Sequence, residues 1–258
     1  MSGIDISSIY EWFTNYVKLY YSTNADIQQH MRLKEDHTLR VAGYCRELAE
    51  HLGLNRSERD LAEAIGIFHD IGRFKQYTLY HTFSDHQSED HARLGLNEIA
   101  GLTLLDGLSG QERDCLEFAV GCHNAVKIPE GATRSHRLYA SIIRDADKLD
   151  IYHVLADALT APSGEDYTPS LLASMLAGRQ ANYIDVKTRE DAKLVRLSWI
   201  YDINYLWTLE QVLAKKYVEA ILEHLAPTEE TRQIERKLRS YIAEKLRAAG
   251  ESSGKKQL

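Results

Sequence analysis

The sequence predicts an all-α fold on three observations. Apolar residues recur at helical spacing almost from end to end, alternating strand patterns are hard to find, and only 4 prolines interrupt the chain. At 258 residues and 44% apolar content, there is ample material for a large core. The first segment, "SIYEWFTNYVKLYY", places Ile9, Phe13, Tyr16, Val17 and Tyr20 on one face, as in a helix that closes one side of that core. A second helix is expected over roughly 36–52, after an acidic pair and before Gly53. A third begins at Ser57, whose hydroxyl suits an N-cap, and stops at Gly72. Ser88 and Ser109 are further cap candidates, and Glu112, three residues after Ser109, completes the spacing of a reciprocal capping box. A long helix then covers about 135–160.

The clearest loop is "TAPSGEDYTPS", residues 160–170, with two prolines and a glycine among small polar residues. It divides the expected organisation into a helical core over residues 1–160 and a C-terminal helical portion over 161–247 that packs on the core. Within the second part, "DAKLVRLSWIYDINYLWTLEQVLAKKYVEAILEHL" is long and amphipathic, suited to packing on the first part or to forming a homodimer. Residues 248–258 read as a disordered tail, and no internal repeat is present.

A net charge of -7 with an isoelectric point near 5.9 argues against a broad electrostatic footprint for a nucleic acid polymer. It leaves room for a local basic pocket that takes one small anion. The N-terminus has no basic segment followed by an apolar run, and no stretch approaches the apolar length of a membrane span. Cys45, Cys115 and Cys122 form no C-x-x-C pair, which suggests neither a disulfide framework nor a cysteine zinc site. A cytoplasmic protein with a small-molecule partner is expected. The unusual figure is the 11 histidines, most of which lie between residues 30 and 153.

In "GIFHDIGRF", His69 and Asp70 stand among Ile65, Ile67, Phe68 and Ile71, where burial demands a partner for each. A His-Asp dipeptide alone says little; position carries the signal. His37 shares an apolar stripe with Val41, Tyr44 and Leu48, and His69 follows Ala62 and Ile65 at helical spacing. His123 closes the stripe Leu116, Ala119, Val120. Asp147 sits amid Ala140, Ile143, Ile151 and Val154, where an unpartnered carboxylate costs several kcal/mol. Either Arg144 or Lys148 offsets that charge, or a metal ion does.

These residues resemble the HD superfamily of metal-dependent phosphohydrolases, whose order is His, then His-Asp, then Asp on successive helices. The matching residues are His37 in "EDHTLRV", His69 and Asp70 in "FHDIGRF", and Asp147 in "DADKLD", within about residues 30–155. Members with two metals carry two further histidines, to which His91 in "SEDHARLG" and His123 in "AVGCHN" correspond. The resemblance thus implies an HD-domain helical bundle with a dinuclear site. His37, His69, Asp70 and Asp147 would hold one ion, Asp70, His91 and His123 the other, and Asp70 would bridge them. The longer run "HDIGRFKQYTLYHTFSDHQSEDHARLG" also resembles a bacterial branch of the superfamily, which supports the fold and says nothing of the substrate.

The resemblance also implies a function: a water activated between divalent ions cleaves the phosphate ester of a nucleotide or other small phosphorylated metabolite. The N and O donor set suits Mn, Fe, Ni, Co, Zn or Mg. Where family members often carry Lys four positions after the motif's histidine, this chain has Arg73. Its guanidinium either clamps a phosphate or pairs with a carboxylate, and it would not act as a general acid. Lys148 and Arg144 flank Asp147 and rank first among further anion contacts, ahead of Asn124, Lys127, Lys187 and Arg189. His81, Asp85, His86 and Asp90 lie beside His91 in sequence, where they orient ligands or face water. Two other readings share the ligand order: an HD-type diiron oxygenase and a non-catalytic nucleotide-binding signalling module.

Overall fold

The computed structural model describes residues 4–160 and 164–254, and no strand occurs among them. Helix α1 spans Ile6–Lys18 behind Asp5, whose carboxylate accepts from the Ser7 and Ser8 amides. Its buried face is Ile9, Phe13, Tyr16 and Val17, as expected. Helix α2 runs over Ala25–His51 and so begins well before residue 36. Asn24 caps it by accepting from Asp26 and Ile27, and no glycine or proline follows to break the segment before the acidic pair.

Helix α3, Arg56–Phe68, is capped not by Ser57 but by Asn55 in a capping box with Glu58. The Ser57 hydroxyl instead donates to Glu112 at 3.2 Å. The helix ends at Phe68, and Gly72 opens helix α4, Gly72–Tyr80. Helix α5 spans His91–Ile99 with Asp90 rather than Ser88 as its cap. The Ser88 hydroxyl is taken up by the Ser84 carbonyl and the Gln76 amide. Helix α6, Gly110–Cys122, has the Ser109–Glu112 box that its spacing predicts. The expected long helix is interrupted at Leu155, giving α7 over Arg134–Val154 and α8 over Ala156–Thr160.

The chain divides into two compact units, Met1–Asp150 and Ile151–Leu258, and the division falls inside α7 rather than at the Pro/Gly loop. In the first unit α2 lies along α3, α1 packs on α3, α4 packs on α2 and α5, and α6 packs on α3 and α5. Ile9, Phe13, Val41, Leu48, Ile65, Phe68 and Phe74 are fully or almost fully buried. Each such side chain contributes about 1.5–3 kcal/mol through removal from water. Two glycines set the close crossings. A Cβ on Gly66 would lie 2.6 Å from the Ala42 Cα, and one on Gly72 would lie 2.1 Å from the His91 carbonyl oxygen. Only hydrogen fits at either place, so α3 and the start of α4 press against the backbones that carry His37 and His91.

In the second unit, helix α9 spans Pro169–Leu176, α10 Arg189–Ser198, α11 Leu206–Ala214, α12 Tyr217–Glu223 and α13 Glu229–Gly254. Helix α10 packs on α8, α9 and α12, and α13 on α9 and α11. Asp191 closes a capping box with Thr188 and also accepts from the Thr168 and Lys187 amides, which ties the starts of α9 and α10 together. Lys193, wholly buried, is paired with Glu190 at 2.6 Å and donates to the His224 carbonyl at 2.9 Å. The loop expected over 160–170 is non-helical over 164–168, while 161–163 fall outside the described residues. The stretch expected to be a disordered tail is helical as far as Gly254, and 255–258 fall outside the described residues.

Candidate metal centre

His37 lies midway along α2, and His69 follows the last residue of α3. Asp70 stands in the turn into α4, His91 opens α5, His123 follows the last residue of α6, and Asp147 lies on α7. All but Asp147 are buried, and the Asp147 side chain is 19% exposed. The four histidines converge on the Asp70 carboxylate, whose two oxygens face different partners. Oδ2 lies 3.5 Å from His37 Nε2 and 3.7 Å from His69 Nε2. Oδ1 lies 3.3 Å from His91 Nε2 and 3.7 Å from His123 Nε2. Asp147 Oδ1 joins the first group at 3.2 Å from His37 Nε2 and 3.8 Å from His69 Nε2.

The far side of every ring fixes its tautomer. His37 Nδ1 meets Asp150 Oδ2 at 2.6 Å, and His91 Nδ1 meets Asp85 Oδ2 at 2.8 Å. His69 and His123, each at the C-terminal end of its helix, turn Nδ1 back on the carbonyl three residues earlier, Gly66 at 2.7 Å and Val120 at 2.8 Å. Carboxylate and carbonyl oxygens only accept, so each Nδ1 carries a proton and each ring turns Nε2 inward as the atom available to a cation. Nε2 of His37 and of His69 is buried without a hydrogen-bond partner. Nε2 of His91 and His123 approach to 2.9 Å, where two lone pairs repel unless a cation is shared. Two donors about 2.1 Å from one cation and about 90° apart lie roughly 3.0 Å from each other. The donor set therefore fits divalent ions: His37, His69 and Asp70 form one group within reach of a common point, Asp70, His91 and His123 another.

The electrostatics agree. Burial raises the Asp70 pKa, but the Lys34 ammonium and the surrounding imidazoles outweigh it and hold the carboxyl well below the usual range. Burial likewise opposes ionisation of Asp147, yet His37 and His69 keep its pKa low. His69, desolvated among other imidazoles, is lowered to about 3 and stays neutral. For His37, burial and Lys34 lower the pKa, and Asp147, Asp150 and Asp70 together raise it to about 10. Three carboxylates around one imidazole call for positive charge at that point: a second proton on the His37 ring when no ion is bound, which a divalent ion would displace.

Sequence reasoning missed the supports of this centre. Asp150, fully buried, accepts from His37 and from both Arg40 Nε at 2.6 Å and Arg40 Nη2 at 3.0 Å. Lys34 Nζ reaches Asp70 Oδ2 at 2.6 Å. Lys34 and Arg40 lie one turn before and after His37, and Asp150 one turn after Asp147, so helical spacing from the ligands was the available signal. Asp85, which the sequence did offer as a residue to orient ligands, is held by Gln76 Nε2 at 2.8 Å and Arg73 Nη1 at 3.0 Å, and its pKa is low because the imidazole and guanidinium beside it outweigh burial.

Among the other proposed residues, Arg73 pairs with carboxylates: Nε lies 3.4 Å from Asp70 Oδ1, while Nη1 is committed to Gln76, Asp85 and the Phe83 carbonyl. Arg144, expected as an anion contact, donates to the carbonyls of His123, Ala125 and Val126, where its guanidinium offsets the charge at the end of α6. Lys148 is buried next to Asp147 in sequence. Asp90 caps α5, Asn124 donates to Asp85 and Asp90, and His81, His86, Lys127, Lys187 and Arg189 are exposed.

Separate helices that aim imidazole Nε2 atoms at the two oxygens of one buried carboxylate define a candidate metal-binding domain. Residues 35–152 match the family model of the HD domain, which is consistent with an HD superfamily protein. HD domains bind divalent metals, and members are commonly metal-dependent phosphohydrolases. No curated protein and no solved structure matches the chain. Among the described residues no helix is long and apolar enough to cross a membrane.

Proposed function

We propose that this protein is a metal-dependent phosphohydrolase that cleaves the phosphate ester of a nucleotide or another small phosphorylated metabolite. The observation that carries this reading is the division of Asp70: one oxygen faces His37 and His69, the other faces His91 and His123. That arrangement suits a bridging ligand between two divalent ions, with His37, His69, Asp70 and Asp147 holding one and Asp70, His91 and His123 the other. Such a pair supplies a water of lowered pKa and positive charge for the phosphoryl oxygens.

The chain's own residues do the rest. Four neutral imidazoles and only two carboxylates leave a centre loaded with two divalent ions net positive, which favours an anionic substrate. Asp150 and Asp85 keep His37 and His91 in the tautomer that presents Nε2. Arg73 ties Asp70 to Asp85 through opposite sides of its guanidinium, so both carboxylates keep their orientation when substrate enters. In this reading Arg73 Nη2 and Lys148 are further sources of positive charge for the phosphate.

The test is metal analysis of the purified protein, followed by phosphate release from a panel of phosphorylated metabolites with Mn, Fe, Ni, Co, Zn or Mg supplied. Metal-dependent release that disappears in Asp70→Ala is expected. Oxygen uptake coupled to substrate loss would replace the reading with diiron oxygenase chemistry. Nucleotide binding with no turnover above the Asp70→Ala background would replace it with a signalling module.

A further inference from the structure

Lys34 stands one turn before His37 on α2, and its side chain is 16% exposed where that of Asp70 is 4% exposed. Its ammonium donates to Asp70 Oδ2 at 2.6 Å, on the oxygen that also faces His37 and His69. It lies 5.2 Å from the centroid of the Phe83 ring, whose electron-rich face favours a cation there. An ammonium has three donors, and among the described residues Asp70 is its sole hydrogen-bond acceptor. Arg73 is placed differently, with Nη1 fixed by three protein acceptors.

We infer that Lys34 is the anion-contacting residue of this centre and donates to a phosphoryl oxygen of the bound substrate or product. The inference rests on the hydrolase reading for the nature of the substrate. Three features carry it: a cation within hydrogen-bond reach of the central carboxylate, donors left over after that contact, and enough exposure to meet an incoming molecule. A divalent ion on Asp70 Oδ2 would repel the ammonium and weaken its hold on that oxygen, which leaves more of its donors for an anion. Phe83 then gives the displaced ammonium a favourable surface beside the site, so that it is not lost to bulk water.

The experiment titrates inorganic phosphate calorimetrically into protein carrying its full measured complement of metal, comparing wild type, Lys34→Gln and Lys34→Arg. Gln keeps a donor for Asp70 and removes the charge; Arg keeps the charge. The expected result is unchanged metal content in both variants, phosphate affinity lowered at least about tenfold in Lys34→Gln, and affinity near wild type in Lys34→Arg. With a hydrolysed ester, Lys34→Gln should raise KM more than it lowers kcat. Unchanged phosphate affinity in fully loaded Lys34→Gln would overturn the inference. So would loss of metal from that variant, which would assign Lys34 to holding the centre together. If wild type binds phosphate through Lys34 yet cleaves no ester, the hydrolase reading fails and this inference stands. If Lys34→Gln cleaves esters with wild-type KM, the reverse holds.

Discussion

Asp150→Asn probes how far the centre depends on residues that touch no metal. Asp150 is fully buried and accepts three charge-assisted hydrogen bonds, one from His37 Nδ1 and two from Arg40. Asparagine retains one oxygen: in the place of Oδ2 it keeps His37 Nδ1 and Arg40 Nη2 and turns its amide N–H groups on Arg40 Nε, and in the place of Oδ1 it keeps Arg40 Nε and turns them on the other two donors. Losing one such bond to a charged group removes about 1.5–3 kcal/mol. If His37 bears the loss, its ring is free to turn or change tautomer, and the ion that it would hold with His69 binds about 10–100-fold more weakly. That factor corresponds to about 1.4–2.8 kcal/mol, in agreement with the hydrogen-bond figure. The assay is a metal titration against a competing chromophoric chelator, which resolves two binding steps. Asp85→Asn supplies the mirror test, because Asp85 supports His91 and not His37. Asp150→Asn should weaken one step and Asp85→Asn the other. Two wild-type steps in Asp150→Asn, or the same step weakened by both variants, would refute the reasoning.

Gly72→Ala should lower stability by about 3 kcal/mol or more and disturb binding at His91, because its Cβ would fall 2.1 Å from the His91 carbonyl and 2.6 Å from the Gly95 nitrogen; urea denaturation with a metal titration checks both. Asn55→Ala, which breaks the capping box of α3 far from the ligands, should cost about 1 kcal/mol and leave metal affinity unchanged. A pH effect is expected from Asp191, whose pKa is lowered: burial opposes its charge, but the Thr168 hydroxyl and the amides of Thr168, Lys187 and Thr188 outweigh it. A carboxyl with a depressed folded pKa stabilises above its ordinary value near 3.8 and loses that contribution as pH falls through the folded value. The stability gap between wild type and Asp191→Asn should thus be widest at neutral pH and shrink below about pH 4, as read by thermal denaturation across that range.

Much of the fold was legible because helices that bury one face show their period directly, as α1 does in Ile9, Phe13, Tyr16 and Val17. Boundaries were less legible where several polar residues compete for one cap. Asn55 and Ser57 stand two apart, and only the position of Glu58 relative to each distinguishes them. The same ambiguity hid the true start of α2 at Asn24. The candidate ligands were legible because imidazoles and carboxylates on apolar stripes are costly unless they share a purpose. Their supports were not, because Lys34, Arg40 and Asp150 look like ordinary helix-surface charges until tertiary packing brings Asp150 against His37 and Lys34 against Asp70. The contacts of Arg144 were hidden for the converse reason: sequence shows its charge and not the carbonyls at the end of α6 to which it donates.

The proposed function requires side chains remote in sequence to gather around shared cations, and a metal count on purified protein tests this most directly. Elemental analysis of wild type, His37→Ala and His123→Ala should find two divalent ions in wild type, with each variant losing a different one. Protein that retains no divalent ion after incubation with every candidate metal and desalting, while remaining folded by circular dichroism, would contradict it.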